Sequence, residues 1–181
     1  MTQNFFQELS EELNKGVSQK GHAFRYFTLA TVGLDQVARL RTIVLRNVSE
    51  DLKLTFYTDS RSKKMIHLQE NKKVGLLFYN PKNMMQIRIE GLAKVVNDQE
   101  TKEKYWNGVK KNSRKDYTTT TAPGTTLANP NQLEYLDDED HFCIVEITPF
   151  KIEYLKLKSP HHIRVRYSWE VDFWEHEFLV P

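Results

Sequence analysis

The sequence predicts a mainly β (α+β) fold, an antiparallel barrel or sandwich with a few peripheral helices, and three observations support this prediction. Short runs rich in β-branched and aromatic residues follow one another closely, turn residues separate the runs, and few stretches carry a helical period. A barrel hides its strand edges, although periodicity alone does not choose between a barrel and a sandwich. The 181 residues, 39% apolar and 12% aromatic, are enough for a single folded domain, 1–181.

The chain opens with an amphipathic helix over residues 1–20. Phe5, Leu9 and Leu13 recur every four residues, which places them on one face, while glutamates occupy the other faces. We expect the apolar face to pack against the domain or against a second subunit. Gly16 and Gly21 bracket the end of this helix.

Five strands are predicted between residues 22 and 96, and they form the core of the barrel. A short helix interrupts them, with Ser60 or Ser62 as its N-cap and with Met65 and Leu68 facing inward. The strand runs are FRYFTLATV, ARLRTIVLRNV, LKLTFYT, KVGLLFY and MQIRIEGLAKVV, and the helical run is KKMIHLQENKK.

The last part of the chain is predicted to hold a helix, a long loop and the strands that close the sheet. The helix spans 98–111, with Asp98 as its N-cap and Lys110 and Lys111 in its last turn, where the helix dipole favours cations. Residues 112–140 form the loop, which is rich in Thr, Pro, Asn and Asp. Two or three strands close the chain over 141–181, in the runs HFCIVEITPF with KIEYLKLK, then HIRVRYSW, then EVDFWEHEFLVP.

Charge, cysteine count and hydropathy exclude several classes of protein. Lys and Arg number 26 and Asp and Glu 24, so the formal charge of +2 gives no global field for nucleic acid or an anionic membrane. Cys143 is the single cysteine, which excludes an internal disulfide and suits a core position. The N-terminus lacks a signal-peptide pattern, and no run approaches the roughly 20 apolar residues of a spanning helix. We therefore expect a soluble, cytoplasmic protein.

No metal site or catalytic nucleophile is predicted. The six histidines show no metal-ligand spacing, and no Ser/His/Asp hydrolase signature is present. The acidic run 137–140 offers oxygens to Ca²⁺, but it lacks the spacing and the glycine of a calcium loop, so a solvated run is the simpler interpretation.

Three segments bring cations, hydroxyls and an amide into a pattern that suits an anionic heterocyclic ligand. Arg41 and Arg46 lie on one strand and point to opposite faces. Residues 57–64 deliver hydroxyls, a helix N-terminus and three cations into one turn, which suits a phosphate. Gln86 lies on the polar face of a later strand, and its amide both donates and accepts. Taken singly, these segments are also compatible with a basic strand end, a solvated turn and a polar surface row.

Together the segments resemble the pyridoxamine 5′-phosphate oxidase family and its flavin-binding relatives, over about residues 24–181. The resemblance implies an antiparallel split β-barrel that binds FMN between the subunits of a homodimer. It implies that Arg41 and Lys64 hold the FMN phosphate and that Gln86 contacts the ring system. The cofactor-binding residues implied are Arg41, Thr42, Ile43, Val44, Arg46, Tyr57, Thr58, Ser62, Lys63, Lys64, Gln86 and, from the second subunit, Arg166.

The resemblance extends only in part to the residues that hold the substrate in this family. The substrate-binding residues implied are Arg46, Tyr105, Ser113, His162 and Arg164. Arg46 stands in place of a lysine, and His162 and Arg164 reverse the order of the family's Arg-x-His pair. Val109 stands where the family has an arginine, and Leu155 where it has a tryptophan. The small-molecule substrate is therefore left open, with the vitamin B6 phosphates among the candidates.

The expected function is that of an FMN-dependent oxidoreductase. Hydride passes from a small-molecule substrate to FMN N5, and oxygen or another acceptor reoxidises the flavin. No catalytic side chain is predicted, since the flavin carries the chemistry and the protein binds, positions and tunes it. Two alternatives stay open: a non-catalytic flavin-binding or stress-related protein of the same fold, and a plain β-barrel that binds haem or no ligand.

Overall fold

The computed structural model describes residues 2–137 and 140–181 of the chain. Its helices are α1 (Thr2–Ser18), α2 (Lys63–Glu70), α3 (Gln99–Gly108) and α4 (Lys111–Arg114), with 3₁₀ turns at Ala23–Arg25, Lys115–Tyr117 and Pro130–Gln132. Its strands are β1 (Tyr26–Val32), β2 (Ala38–Val44), β3 (Asn47–Val48), β4 (Leu54–Asp59), β5 (Lys73–Asn80), β6 (Met85–Val96), β7 (Phe142–Lys156), β8 (Ile163–Glu170) and β9 (Phe173–Phe178).

The strands form one antiparallel sheet that curls into a half-barrel. Their order is β2-β1-β5-β6-β7-β4-β3, and β8 and β9 continue from β7 as a side branch. Only Leu45 and Arg46 separate β2, at one end of this path, from β3, at the other end. The Arg46 N–H donates to the Thr55 carbonyl at 2.9 Å, so the sheet curls until its two ends meet.

Alternation along the strands divides the sheet into a buried inner face and an accessible outer face. Aromatic rings line the inner face: the centroid of the Phe78 ring lies 5.0 Å from that of Phe27 and 5.3 Å from that of Phe24. Helix α1 buries Leu9 and Leu13 in the same core. The predicted apolar face of the N-terminal helix therefore packs against the domain.

The register between β6 and β7 shifts at Glu90 and Gly91, where the curvature demands a close approach of the backbones. A Cβ on Gly91 would lie 2.9 Å from the Thr148 carbonyl oxygen and 2.6 Å from a methyl carbon of Ile147. Only glycine fits this position without a shift of the β7 backbone.

A second, smaller apolar cluster lies outside the half-barrel, beneath α3. Aromatic rings build most of it, and the centroids of Tyr57 and Phe142 are 4.9 Å apart. Its buried members are Val109, Tyr117, Phe142 and Ile144, with Tyr57, Val96, Tyr105 and Trp106 packed against them.

The structure corrects several sequence-based boundaries. The helix predicted over 98–111 begins after the expected cap, where Asp98 accepts from the Thr101 N–H at 2.8 Å, but it ends at Gly108. Lys110 and Lys111 are therefore not in its last turn, because Val109 turns into the small cluster and a new helix, α4, begins.

Other differences concern the N-terminal helix, the loop and the closing strands. Gly16 lies inside α1, which continues to Ser18, and its missing Cβ leaves room for the Phe24 carbonyl oxygen, which a Cβ would approach to 2.6 Å. The segment predicted as a loop contains α4 and two 3₁₀ turns. Strand β7 runs unbroken through Pro149, and the last run of the chain forms β9. Of the acidic run, Asp138 and Glu139 lie outside the described residues.

Candidate functional site

Arg41 projects from β2 towards the buried side of β1. Its Nη1 donates to the Thr31 hydroxyl at 2.7 Å and approaches the Leu29 carbonyl at 3.3 Å. Thr31 Oγ1 in turn lies 2.9 Å from Nδ1 of His67 on α2. These contacts tie the arginine to the helix on the far side of a cleft.

Lys64 extends from the first turn of α2 into a set of buried hydroxyls. Its Nζ donates to the Thr58 hydroxyl at 2.7 Å and to the Ser62 hydroxyl at 3.0 Å. Ser62 occupies the predicted N-cap position, but its side chain makes no capping hydrogen bond because it serves this network instead. Thr58 and Ser62 therefore orient a cation.

Arg41 and Lys64 form a basic pair, and the carboxylate that acts on Lys64, Asp59, is already paired with Arg61. Burial lowers the pKa of Lys64, and the positive charge of Arg41 lowers it further. Burial likewise lowers the pKa of Arg41. Within residues 2–137 and 140–181, neither cation forms a salt bridge. Two partly desolvated cations without a salt-bridge partner are the electrostatic signature of an anion site.

Arg41, but not Lys64, lines a cleft of about 510 Å³ between the β1–β2 turn and α2. Arg41, Lys63 and His67 line it, together with Gly33, Leu34, Asp35, Arg39, Leu40 and Ile66. Lys63 is exposed at its rim. Lys64, Thr58 and Ser62 form a hydrogen-bonded group next to this cleft, close enough to Arg41 for the arginine's charge to lower the pKa of Lys64.

Arg61 does not contribute to this cluster, although the sequence placed three cations in the same turn. Its guanidinium pairs with Asp59, at 2.7 Å between Nη2 and Oδ2, and also donates to the Thr119 carbonyl at 2.9 Å. Arg61 therefore fastens the threonine-rich segment to the turn before α2, and its charge is already compensated.

Arg46 occupies a separate position, over the small aromatic cluster. Its guanidinium carbon lies 5.1 Å from the centroid of the Tyr57 ring, a cation–π contact. Tyr105 packs against the same ring, at 5.7 Å between centroids. The Arg46 Nε is buried without a hydrogen-bond partner among the described residues. Burial raises the pKa of Tyr57 to about 12, so its phenol stays neutral at physiological pH.

The remaining predicted residues near this cluster are less well placed. Ser113 is half-buried on α4, four residues before the buried Tyr117. Val109 is buried where the family pattern has an arginine. Of the other strand-motif residues, Thr42 and Val44 point to the outer face of the sheet, and Ile43 points to the core.

Gln86, Arg164 and Arg166 lie on the outer face of the sheet, away from the basic cleft. Gln86 is paired with Leu155, and Leu155 with Arg164, so Gln86, Leu155 and Arg164 form one row across β6, β7 and β8. Arg164 donates to Glu153 at 2.7 Å, and Arg88 pairs with the same carboxylate. The Arg166 Nε donates to Glu177 at 2.9 Å.

His162 is exposed in the loop before β8, and its Nδ1 accepts from the Lys158 N–H at 3.2 Å. Cys143 is buried, and this burial raises the pKa of its thiol, as expected of a core residue. In the described part of the chain, no three His, Cys, Asp or Glu side chains lie together as a metal site would require. None of the described helices has both the length and the apolar character needed to cross a bilayer.

Two residues of the site were missed by sequence reasoning: His67, which lines the cleft, and Thr31, which is buried behind Arg41. Thr31 looks like one more residue of a β-rich run, and only the pairing with β2 shows that it supports Arg41. His67 carried a usable signal, because it lies four residues after Lys63 on the same face of a helix.

A curled antiparallel sheet with a basic cleft beside a short helix defines the class of FMN-binding split barrels, which confirms the predicted fold. A family model described as "Pyridoxamine 5'-phosphate oxidase, FMN-binding domain" matches residues 3–97. The chain belongs to this family, and its cofactor is FMN.

Comparisons with individual proteins agree with this assignment. The chain is 30% identical over 148 residues to a pyridoxine/pyridoxamine 5′-phosphate oxidase 2 from Arabidopsis thaliana, which covers 74% of each chain. It is 38% identical over 80 residues to a pyridoxine/pyridoxamine 5′-phosphate oxidase from Wolbachia pipientis wMel, and this match covers 44% of the chain but only 36% of the relative. The fold is similar to that of a pyridoxamine 5′-phosphate oxidase-related, FMN-binding protein from Nostoc punctiforme PCC 73102, with a TM-score of 0.82, 22% identity and coverage of 97% and 96%.

The cleft fits the phosphate of FMN. A phosphate carries about 1.5 to 2 negative charges at neutral pH and three strong acceptor oxygens. Arg41 and Lys64 supply two positive charges, and the hydroxyls of Thr58 and Ser62 hold the lysine in place.

Proposed function

We propose that this protein is an FMN-dependent oxidoreductase that oxidises a small anionic molecule and works as a homodimer. When bound, FMN supplies the redox chemistry, by accepting a hydride from the substrate and passing electrons to oxygen or another acceptor. The observation that carries the proposal is the pair of desolvated cations, Arg41 and Lys64, beside the cleft.

The chain's own residues bind and orient the reactants rather than exchange protons with them. Arg41 and Lys64 neutralise the cofactor phosphate, while Thr58 holds the lysine at a fixed position. Anchoring the phosphate limits where the attached ring system lies, and orientation of this kind is a large part of enzymatic rate enhancement.

Arg46 is the residue that we assign to an anionic group of the substrate, with Tyr105 beside it. The Tyr57 ring supports the guanidinium from one side, and no described carboxylate neutralises it. A fixed guanidinium without a carboxylate partner suits the carboxylate or phosphate oxygens of a ligand. The names of the relatives make the vitamin B6 phosphates the first compounds to test.

A homodimer is supported by the separation of the predicted site residues within one chain. The basic cleft opens beside α2, whereas Gln86 and Arg166 lie on the outer face of the sheet. A second copy that packs on this outer face would bring its Gln86 and Arg166 towards the cofactor. The face also exposes large apolar side chains on neighbouring strands, among them Tyr26, Leu40, Leu77 and Tyr79.

Leu77→Glu is expected to convert the dimer into a monomer and to weaken FMN binding with it, because a buried carboxylate without a partner is costly. Light scattering coupled to size-exclusion chromatography measures the change in mass. Leu127→Glu is the matched control, because Leu127 lies in a loop and is 41% exposed, compared with 39% for Leu77. A monomeric wild-type protein, or a Leu77→Glu dimer, would contradict the proposed assembly.

The function is tested in two stages on the purified full chain. The absorbance spectrum and mass spectrometry of the released ligand establish whether FMN is carried. Pyridoxamine 5′-phosphate and pyridoxine 5′-phosphate are then supplied separately, and hydrogen peroxide and flavin reduction are measured. A protein that carries no FMN and ignores added FMN would refute the proposal at the first stage.

The second candidate is a non-catalytic flavin-binding protein of the same fold, and one observation favours it. Val109 is packed into the aromatic cluster where the family pattern has an arginine, so this position offers no charge to a substrate. Retention of FMN without flavin reduction by any B6 phosphate or other anionic amine would favour this candidate.

A further inference from the structure

His67 lines the cleft, yet neither the strand motif nor the helix motif of the family resemblance includes it. The ring lies on α2, three residues after Lys64, and contacts β1 through Thr31. It therefore shares the cleft with Arg41, one of the two cations assigned to the FMN phosphate. What the ring contributes depends on which nitrogen carries its proton.

The hydrogen bonds around Thr31 determine which nitrogen of the His67 ring carries the proton. Arg41 can only donate, so the Thr31 oxygen accepts from Arg41 Nη1, at 2.7 Å. Thr31 is 2% exposed, and among the described residues its hydroxyl hydrogen has only His67 Nδ1 as a partner, at 2.9 Å. A buried hydroxyl hydrogen left without an acceptor would be unfavourable. Nδ1 therefore accepts, and the ring proton is on Nε2.

The charges around the ring keep it neutral. Burial lowers the pKa of His67, and the positive charges of Arg41 and Arg39 lower it further. Asp35 opposes this effect, but it is paired with Arg39 at 2.7 Å. Lys63 and Lys64 are cations on the same helix, and Glu70, three residues after the ring, is exposed to solvent. A neutral imidazole at this position adds a donor without adding a third positive charge.

We propose that His67 is a further ligand of the cofactor phosphate, a neutral imidazole that donates its Nε2–H into the cleft because Thr31 and Arg41 hold Nδ1 as an acceptor. The inference rests on the proposed function, since it takes the cleft as the site of the FMN phosphate. Arg41 then has two roles, to neutralise the phosphate and to set the tautomer of a neighbouring donor.

Two amide substitutions test the two ring nitrogens of His67 separately. The glutamine amide introduced by His67→Gln reaches about as far as Nε2, whereas the asparagine amide introduced by His67→Asn reaches about as far as Nδ1. Flavin fluorescence titration measures the affinity for FMN and for riboflavin, which lacks the phosphate. We expect His67→Asn to bind FMN about tenfold more weakly than the wild type, the effect of one hydrogen bond to a charged group, and His67→Gln to stay within about threefold. Riboflavin affinity is expected to change in neither variant.

A measurement on the wild-type protein tests the tautomer without any substitution. Nitrogen-15 NMR of the imidazole at neutral pH, without flavin, is expected to show the proton on Nε2. A proton on Nδ1, or a charged ring, would overturn the inference.

The outcomes also separate the inference from the function on which it rests. If His67→Asn binds FMN as tightly as the wild type, His67 is not a ligand of the phosphate, and the proposed function is unaffected. Failure of the wild-type protein to bind FMN would reject the ligand role and the proposed function together. An equal loss of FMN and riboflavin affinity in His67→Asn would show that the ring acts on the fold rather than on the phosphate.

Discussion

Lys64→Ala and Arg41→Ala are each expected to weaken FMN binding by about 10- to 100-fold. A hydrogen bond that involves a charged group contributes about 1.5–3 kcal/mol, and 1.4 kcal/mol corresponds to a factor of ten. Burial lowers the pKa of both side chains, so their charges are poorly screened and act strongly on an anion. Riboflavin affinity is expected to change little, because the missing interaction is with the phosphate.

The two variants are not expected to be additive. Arg41 lowers the pKa of Lys64 in the free protein, so removal of Arg41 relieves a repulsion at the same time as it removes a ligand. The double variant should therefore lose less affinity than the product of the single effects, which a double-mutant cycle measures directly. Salt dependence gives a second measurement, because the FMN affinity of the wild type should fall with ionic strength more steeply than that of either variant.

Lys94→Ala is the control for this experiment. Lys94 is exposed on β6 and borders a different depression of the surface. The substitution therefore removes one positive charge without changing the cleft. An equal loss of FMN affinity in Lys94→Ala would point to the general charge of the protein. If Arg41→Ala and Lys64→Ala both bind FMN like the wild type, the phosphate site lies elsewhere.

The sequence predicted the strands well because their alternating pattern is a direct consequence of a half-buried sheet. The run MQIRIEGLAKVV coincides with β6, since every second residue from Met85 to Ile89 is buried. The runs HFCIVEITPF and KIEYLKLK form one continuous strand, β7, although a proline such as Pro149 normally marks an interruption. Here the register shift opposite Gly91 places the proline where the ladder is already disrupted.

The site was predicted to the extent that its residues are close in sequence. Thr58, Ser62 and Lys64 lie within seven residues, and the structure joins them by hydrogen bonds. The hydrogen bond from Arg41 to Thr31 depends instead on the register of the β1–β2 hairpin. Hydrophobic periodicity does not reveal that register. Arg61 shows the converse limit, because Asp59 compensates its charge and its guanidinium also donates to the Thr119 carbonyl, 58 residues away.

Phe78→Ala is expected to lower the free energy of unfolding by about 3–5 kcal/mol. The ring is completely buried on the inner face and packs against Phe24 and Phe27, so truncation leaves a cavity that rigid rings on both sides cannot fill. A domain of this kind has a total stability of about 5–15 kcal/mol, so a loss of this size is a large fraction of the whole.

The measurement for Phe78→Ala is urea denaturation of the flavin-free protein, because bound cofactor would add its own stabilisation. Phe173→Ala is the matched control: the same atoms are removed from a ring that is 61% exposed, and the expected change is within about 0.5 kcal/mol. Phe78 is not among the residues that line the cleft, so the folded fraction of Phe78→Ala should still bind FMN. A loss of stability below about 1 kcal/mol would mean that the inner face of the half-barrel is not a close-packed core.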